Sequence, residues 1–110
     1  MRRPRVAILK PDYYGIVGGF ERVVDILDDA LTDDGYVVSR RVVKVVDLPL
    51  EVGGLAIPPE VFEAHPEYFR YLMVRQAFDR LDTGDADLVI STQPPSFSHV
   101  HPRHLALFFH

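Results

Sequence analysis

A short, unbroken run of apolar residues near the amino terminus constrains the fold more than any other feature of the sequence. Val6-Ala7-Ile8-Leu9 lies between Arg5 and the segment Lys10-Pro11-Asp12, and it contains no polar residue. A strand with one solvated face alternates apolar and polar side chains, whereas a strand covered by helices on both faces is apolar throughout. The run therefore predicts a buried strand of a parallel sheet.

An amphipathic helix is predicted after the loop that follows this strand. The loop, residues 11–19, holds three glycines, one proline and two tyrosines. Apolar residues then recur at helical spacing from Phe20 to Leu31, and charged residues take the opposite face. Gly35 supplies the left-handed residue that commonly ends a helix.

The rest of the chain continues to alternate strands and helices. The valine-rich segment from Tyr36 to about Val46 predicts one long strand or two short ones, and its basic residues favour an edge of the sheet. The other predicted elements are an irregular segment at 47–59, a helix from Pro66 to about Asp82 with Gly84 as its stop, a strand at Leu88-Val89-Ile90 and a last strand from Leu105 to Phe109.

This order of elements predicts an α/β, Rossmann-like domain with a mostly parallel sheet and flanking helices. A chain of 110 residues is long enough for one such domain. The last apolar run is followed at once by His110, with no helix behind it. We therefore expect either a fragment of a longer protein or a sheet face that packs against a second copy, and hence a homo-oligomer.

Composition argues against several classes of function. The chain has no cysteine, which removes disulfides, thiolate catalysis and cysteine-ligated metal. Its net charge of −4 argues against nucleic acid as a partner, because neutralising phosphates needs a surplus of Lys and Arg. No apolar run is long enough for a bilayer span or a signal peptide, so the predicted location is the cytoplasm.

Two groups of arginines leave a peripheral membrane contact open. They are Arg2, Arg3 and Arg5 at the amino terminus, and Arg70, Arg75 and Arg80 on the second predicted helix. Such side chains can contact anionic lipid at the inner membrane face. The alternative is an ordinary solvated helix face.

Gly18-Gly19-Phe20-Glu21-Arg22 joins the first predicted strand to the first predicted helix. Ligands of open α/β sheets bind outside the carboxyl ends of the strands, and a helix amino terminus there offers unpaired N–H groups to an anion. Two glycines let the backbone approach closely, so the segment predicts phosphate binding. The alternative is a plain turn, because neither a GxGxxG motif nor a P-loop is present. We interpret Glu21 and Arg22 as ordinary exposed charges.

Three segments of the chain carry a resemblance to a known family. Residues 10–31, with Gly-Gly-Phe-Glu-Arg-Val-Val at their centre, resemble the start of a GT-B glycosyltransferase of the retaining, glycogen-synthase-like superfamily, family 4-like. Residues 87–95 resemble a later strand and loop of the same amino-terminal domain, and residues 105–110 resemble the strand after that. Residues 42–65 match no segment of the family.

The resemblance implies the acceptor-side half of a two-domain enzyme that moves a hexose from a nucleotide-sugar donor to a glycan or lipid acceptor. It implies that Gly18 and Gly19 face the donor diphosphate and that His110 lies near the transferred sugar as a catalytic residue. The residues implied on the acceptor side are Tyr13, Tyr14, Thr92 and Gln93. No cofactor is implied. The family's donor-binding Arg/Lys pair lies in a second domain, so we expect the 110-residue chain alone to be inactive.

Two other functions remain open. The chain could be a stand-alone Rossmann-like module that binds a nucleotide or a protein without catalysis, or a different phosphate-handling α/β enzyme.

The serines and histidines of the second half of the chain give weaker evidence for a functional site. Ser91, Ser96 and Ser98 lack the context of a nucleophile elbow. We interpret the histidines near the carboxyl end as loop residues that solvate the entry to the last strand, and we expect no metal site; they are His99, His101, His104 and His110.

Overall fold

The computed structural model describes residues 3–12, 19–92 and 96–107. Its elements in chain order are β1 (Arg5–Asp12), α1 (Gly19–Asp33), β2 (Val37–Lys44), β3 (Glu51–Val52), β4 (Leu55–Ala56), α2 (Pro59–Ala64), α3 (Pro66–Asp79), β5 (Leu88–Ser91) and β6 (His104–Ala106). Short 3₁₀ turns lie at Val45–Asp47 and Ser96–Ser98. Four strands form one sheet in the order β2-β1-β5-β6, and every neighbouring pair is parallel. The predicted α/β fold with a parallel sheet and flanking helices is confirmed at this level.

Helices cover both faces of the sheet, and the side chains of β1 alternate between them. Val6 and Ile8 pack with Val24 of α1, while Ala7 and Leu9 pack with apolar side chains of α3 on the other face. All four residues of the apolar run are buried. The absence of a polar residue in this run follows from its position, because neither face of β1 meets water.

β2 lies at the edge of the sheet, as its charges predicted, and it is one continuous strand. Arg40 donates to Asp28 of α1 at 2.8 Å and pairs with Asp25 at 2.8 Å. The hydrogen bond to Asp28 is the largest of the causes that raise the pKa of Arg40. Arg41 bonds to Asp85, beyond α3, at 2.6 Å, and this lowers the pKa of Asp85. Neighbouring residues of a strand point to opposite faces of the sheet. Arg40 therefore links β2 to α1 on one face, and Arg41 links β2 to the loop after α3 on the other.

The end of α1 agrees with the sequence. Gly35 has a φ of +96°, a backbone conformation that residues with a Cβ rarely adopt. The N–H of Gly35 bonds to the carbonyl of Thr32, and the N–H of Tyr36 bonds to the carbonyl of Leu31, each at 3.0 Å. These bonds satisfy carbonyl groups in the last turn of α1, and the chain then turns toward β2.

The segment predicted to be irregular is partly ordered, so that prediction is wrong. Its β3 and β4 form a small antiparallel hairpin whose turn is Gly53-Gly54, with φ of +63° and +86°. Gln76 of α3 holds the hairpin, since its side chain accepts from the N–H of Gly53 at 2.7 Å and donates to the carbonyl of Glu51 at 3.3 Å. Each strand has only two residues, which is too short to show the alternation that identifies a strand.

α3 begins at Pro66 as predicted but ends at Asp79, so Gly84 is not its stop. The sequence pattern predicts an apolar face of this helix that includes both Tyr71 and Phe78, and the face that is buried is narrower. Phe78 is fully buried, whereas Tyr71 is 47% exposed. The last predicted strand is confirmed as β6, although residues 108–110 lie outside the described part of the chain.

The contrast between these two aromatic residues gives a test of the packing. Phe78→Ala should lower the free energy of unfolding by about 3–5 kcal/mol, because it leaves a cavity between α3 and the sheet. Tyr71→Ala on the same helix should cost about 0.5 kcal/mol or less, as surface substitutions do. Urea unfolding followed by circular dichroism measures both. Equal losses would contradict the orientation of α3.

Candidate functional site at the carboxyl edge of the sheet

The carboxyl ends of β1 and β5 lie side by side, with Leu9 opposite Ser91. From β1 the chain passes through α1 to β2 on one side of β1, while β5 lies on its other side. Ligands of open α/β sheets bind at such a reversal of strand order, outside the carboxyl ends of the strands. This edge is therefore the candidate site, and it is the edge to which the sequence assigned its site residues.

The structure describes two of the predicted site residues. Gly19 is the first residue of α1, so the helix begins where the glycine pair predicted. Thr92 directly follows β5. The others lie outside the described residues, and their roles stay predictions: Tyr13, Tyr14, Gly18, Gln93 and His110.

Thr92 fastens the two central strands together at this edge. Its side chain is buried, and its hydroxyl donates to the carbonyl of Leu9 at 2.9 Å. This side-chain bond joins the residue that follows β5 to β1, in addition to the main-chain hydrogen bonds of the sheet. What the structure shows for Thr92 is thus a structural bond, and its contact with an acceptor stays a prediction.

A partly buried ion pair lies at the start of α1. Lys10 continues the alternation that points Val6 and Ile8 toward α1, and its ammonium donates to the carboxylate of Glu21 in the first turn of that helix. The side chains of Lys10 and Glu21 are only 11% and 24% exposed. The interpretation of Glu21 as an ordinary exposed charge is therefore wrong.

The physical reason for the pair is the position of Lys10. A buried ammonium needs a partner, because removing a charge from water is costly unless it is paired and hydrogen-bonded. A carboxylate in the first turn also interacts favourably with the positive end of the helix dipole. The sequence held the signal: Lys10 follows an apolar run at a position whose side chain must point toward α1. The pair holds the first turn of α1 against the carboxyl-terminal part of β1.

A second polar cluster lies on the α3 face of the sheet, between β5, β6 and the end of α3. Ser91 is fully buried, and its hydroxyl lies 2.7 Å from Nε2 of His104. His99 is 4% exposed; its Nδ1 donates to the carbonyl of Phe78 at 2.7 Å, and its Nε2 lies 2.6 Å from the hydroxyl of Thr83. The rings of His99 and His104 are 6.4 Å apart.

This cluster corrects the interpretation of the histidines as solvating loop residues. His99 is part of the interior and bonds to the carboxyl-terminal end of α3, and His104 bonds to β5. Sequence spacing could not reveal these roles, because the partners are 13 and 21 residues away. Within residues 3–12, 19–92 and 96–107, no three metal-binding side chains converge.

The contact between Ser91 and His104 has the spacing of a nucleophile and its base, but its environment does not suit catalysis. A serine nucleophile must reach its substrate, and Ser91 is fully buried. Its hydrogen bond instead joins β5 to β6, side by side in the sheet. We therefore interpret this pair as structural.

The arginines of α3 that suggested a membrane contact all have partners. Arg70 lies over the ring of Phe62 at 5.5 Å. The other two pair with carboxylates, Arg75 with Asp79 at 4.0 Å and Arg80 with Glu51 at 3.7 Å. Across the described part of the chain, no helix has the length and apolar character needed to cross a membrane. The peripheral contact stays a prediction.

Comparison of the chain with protein families, with curated proteins and with solved structures finds no match. The resemblance to GT-B glycosyltransferases therefore depends on residues 10–31, 87–95 and 105–110 alone. Any function has to be argued from those segments and from the geometry of the carboxyl edge.

The ion pair at this edge can be tested through stability. Glu21→Gln should lower the free energy of unfolding by about 2 kcal/mol, because it leaves the Lys10 ammonium buried without a counter-charge; the loss is smaller than for a fully buried pair since Glu21 keeps some contact with water. Arg22→Gln, an exposed neighbour, should change it by about 0.5 kcal/mol or less. Urea unfolding measures both variants.

The double variant Lys10→Met/Glu21→Gln separates a lost pair from a lost fold. Replacing both members of a buried ion pair is often nearly neutral, so most of the stability should return. A Glu21→Gln variant as stable as Arg22→Gln would contradict the burial of Lys10.

Proposed function

We propose that this chain is the amino-terminal, acceptor-side domain of a GT-B glycosyltransferase of the retaining, glycogen-synthase-like superfamily. The observation that supports this best is the position of the Gly18-Gly19-Phe20-Glu21-Arg22 segment. It leads into α1 from the carboxyl end of the central strand β1, where the order of the strands reverses. An open α/β sheet binds anionic ligands at this point.

The charge balance of the edge is compatible with an anionic ligand. A carboxylate in the first turn of α1 would repel a diphosphate that binds to the amino end of that helix. Lys10 neutralises Glu21, so the main-chain N–H groups and the helix dipole can act on the anion without that opposition. Lys10 itself is taken up by the pair, and further positive charge for the donor has to come from elsewhere.

In this proposal the roles divide between two domains. Gly18 and Gly19 face the donor diphosphate, and His110 lies near the transferred hexose. The acceptor, a glycan or a lipid, is lined by Tyr13, Tyr14, Thr92 and Gln93. A second domain supplies the arginine and lysine that stabilise the leaving diphosphate as the bond between sugar and oxygen breaks. No metal or cofactor takes part.

One observation favours a second candidate, a binding module for a nucleotide or a protein that has no catalytic activity. Lys10, Ser91 and Thr92, polar side chains at the carboxyl edge, all bond to groups of the chain itself. Catalysis needs side chains that reach the substrate, whereas phosphate binding by main-chain N–H groups does not.

The glycine pair can be tested by titration with a nucleoside diphosphate. Uridine diphosphate should shift the amide resonances at the start of α1, and Gly18→Ala should weaken its binding about tenfold because a methyl group hinders the approach of the anion. Gly84→Ala is the matched control, since Gly84 precedes the amino end of β5 at the opposite edge of the sheet. Nuclear magnetic resonance titration measures both. Equal binding by the two variants would exclude the glycine pair as the phosphate site.

A turnover assay distinguishes a single domain that needs a second domain for catalysis from a complete enzyme. The isolated chain should release no nucleoside diphosphate from uridine- or guanosine-diphosphate sugars, because the proposal assigns the donor's cations to a second domain. A coupled assay for the released diphosphate, with Gly18→Ala run in parallel, detects any turnover. Release that disappears in Gly18→Ala would contradict the division of roles between two domains.

A further inference from the structure

The first half of α3 lies outside the hydrophobic core, and so does α2, which precedes it. No residue of α2 is buried, and the first buried residue of α3 is Met73. The buried residues of α3 that belong to the core cluster, Val74 and Phe78, lie in its second half. The surface formed by residues 59–72 therefore adds little to the covering of the sheet.

Aromatic side chains are concentrated on this surface. The ring of Tyr68 packs against that of Phe69 at 5.6 Å, and Phe69 lies 6.4 Å from Phe62 of α2. Tyr68 and Tyr71 are nevertheless 63% and 47% exposed. Tyrosine is enriched at the centre of protein interfaces, because its ring contributes a large contact area and loses little conformational freedom. The exposed tyrosines therefore indicate an interaction surface.

Tyr68, Tyr71 and Arg75 share one side of α3, since they are spaced by three and four residues. The Arg75 side chain is 56% exposed and pairs with Asp79 at 4.0 Å, a long distance for an ion pair. Asp79 also accepts a hydrogen bond from the hydroxyl of Ser98 at 2.6 Å. Arg75 can therefore bind a second carboxylate.

The charge along α2 and α3 changes from acidic to basic. Apart from Asp79, glutamates come first and arginines follow: Glu60, Glu63 and Glu67, then Arg70, Arg75 and Arg80. The three glutamates are exposed, and within residues 3–12, 19–92 and 96–107 none of them forms an ion pair. Tyr71 lies midway between Glu67 and Arg75. A surface with this order of charges is complementary to itself when a second copy runs in the opposite direction.

We propose that this face of α3 is the contact between two copies of the chain, related by a two-fold axis beside Tyr71. The two copies of α3 then run antiparallel, with the Tyr71 rings in contact at the centre. Glu67 and Arg75 each lie four residues from Tyr71, about 6 Å along the helix. The axis therefore places Glu67 of one copy opposite Arg75 of the other, and this ion pair forms twice.

The charges favour a second copy over other partners. An anionic membrane or an acidic protein would be attracted by Arg75 but repelled by the glutamates, whereas a second copy matches both signs. The surface differs from the sheet face for which the sequence predicts self-association, and the proposal does not depend on the glycosyltransferase function. One pair of short helices is at the small end of specific interfaces, so we expect a dissociation constant of about 10–100 µM.

Sedimentation equilibrium of the full chain between about 5 and about 500 µM measures the association. The wild type should change from monomer to dimer over this range; at its low end, the stability of Tyr71→Ala reports packing within one copy. Glu67→Arg and Arg75→Glu should each weaken the dimer about tenfold or more, because each variant places like charges opposite each other at two positions. Asp29→Arg, a charge reversal on the exposed side of α1, is the matched control and should dimerise as the wild type does.

A mixture of the two variants tests the two-fold geometry. In a heterodimer of Glu67→Arg with Arg75→Glu, both contacts again join opposite charges, so the equimolar mixture should dimerise with an affinity close to that of the wild type. The variant that carries both substitutions should do the same. Recovery in the mixture also shows that each single variant is folded.

Three results would overturn the proposal. They are a wild type that stays monomeric up to about 500 µM, a dimer that both single variants leave unchanged, and folded variants that do not recover on mixing. Binding of such a monomer to phosphatidylglycerol vesicles would assign the face to a membrane instead. Should the variants not fold, nuclear magnetic resonance of the wild type decides: the amide resonances of residues 67–75 should shift on dilution, and shifts confined to β2 or β6 would also overturn the proposal.

Discussion

The burial of β1 on both faces is the constraint on which the rest of the structure depends. A strand that meets α1 on one side and α3 on the other has no solvated face, so every side chain in Val6–Leu9 has to be apolar. Polar groups can enter only where the strand leaves the interior, at Lys10, and there the cost of burial requires a partner on α1. The position of the first helix is thus linked to the same alternation that builds the core.

At the carboxyl edge, most of the described polar side chains hold the fold together. Thr92 joins the ends of β1 and β5, Glu21 neutralises Lys10, and Ser91 bonds to the histidine cluster. Ligand binding at such an edge has to depend on main-chain N–H groups and on the loops that cross it. For this reason the proposed phosphate site is assigned to the glycine pair. The buried polar side chains hold the strands and helix around it in position.

Much of this fold was accessible from the sequence because it depends on patterns longer than a few residues. The apolar run of β1, the helical stripe of α1 and the charges of β2 each predicted the element that the structure contains. The hairpin at Gly53-Gly54 was missed because its strands are too short to show a period. The pairing of Glu21 was missed because the alternation of β1 was not followed beyond the apolar run to Lys10, where it points the side chain toward α1. The burial of His99 was missed for another reason: its partners are 16 and 21 residues away, and spacing along the chain does not show that they are close in space.

The two arginines of β2 also define how this strand can pair. Arg40 reaches the carboxylates of α1, and Arg41 reaches Asp85 on the opposite face. A slip of one residue in the pairing of β2 with β1 would turn both guanidinium groups toward the wrong layer and leave Asp25 and Asp28 without their counter-charge. Edge strands with purely apolar side chains can shift along their neighbour at little cost. Here ion pairs on both faces of β2 select a single register with β1. Charged side chains on this edge strand also disfavour its pairing with a strand of another molecule.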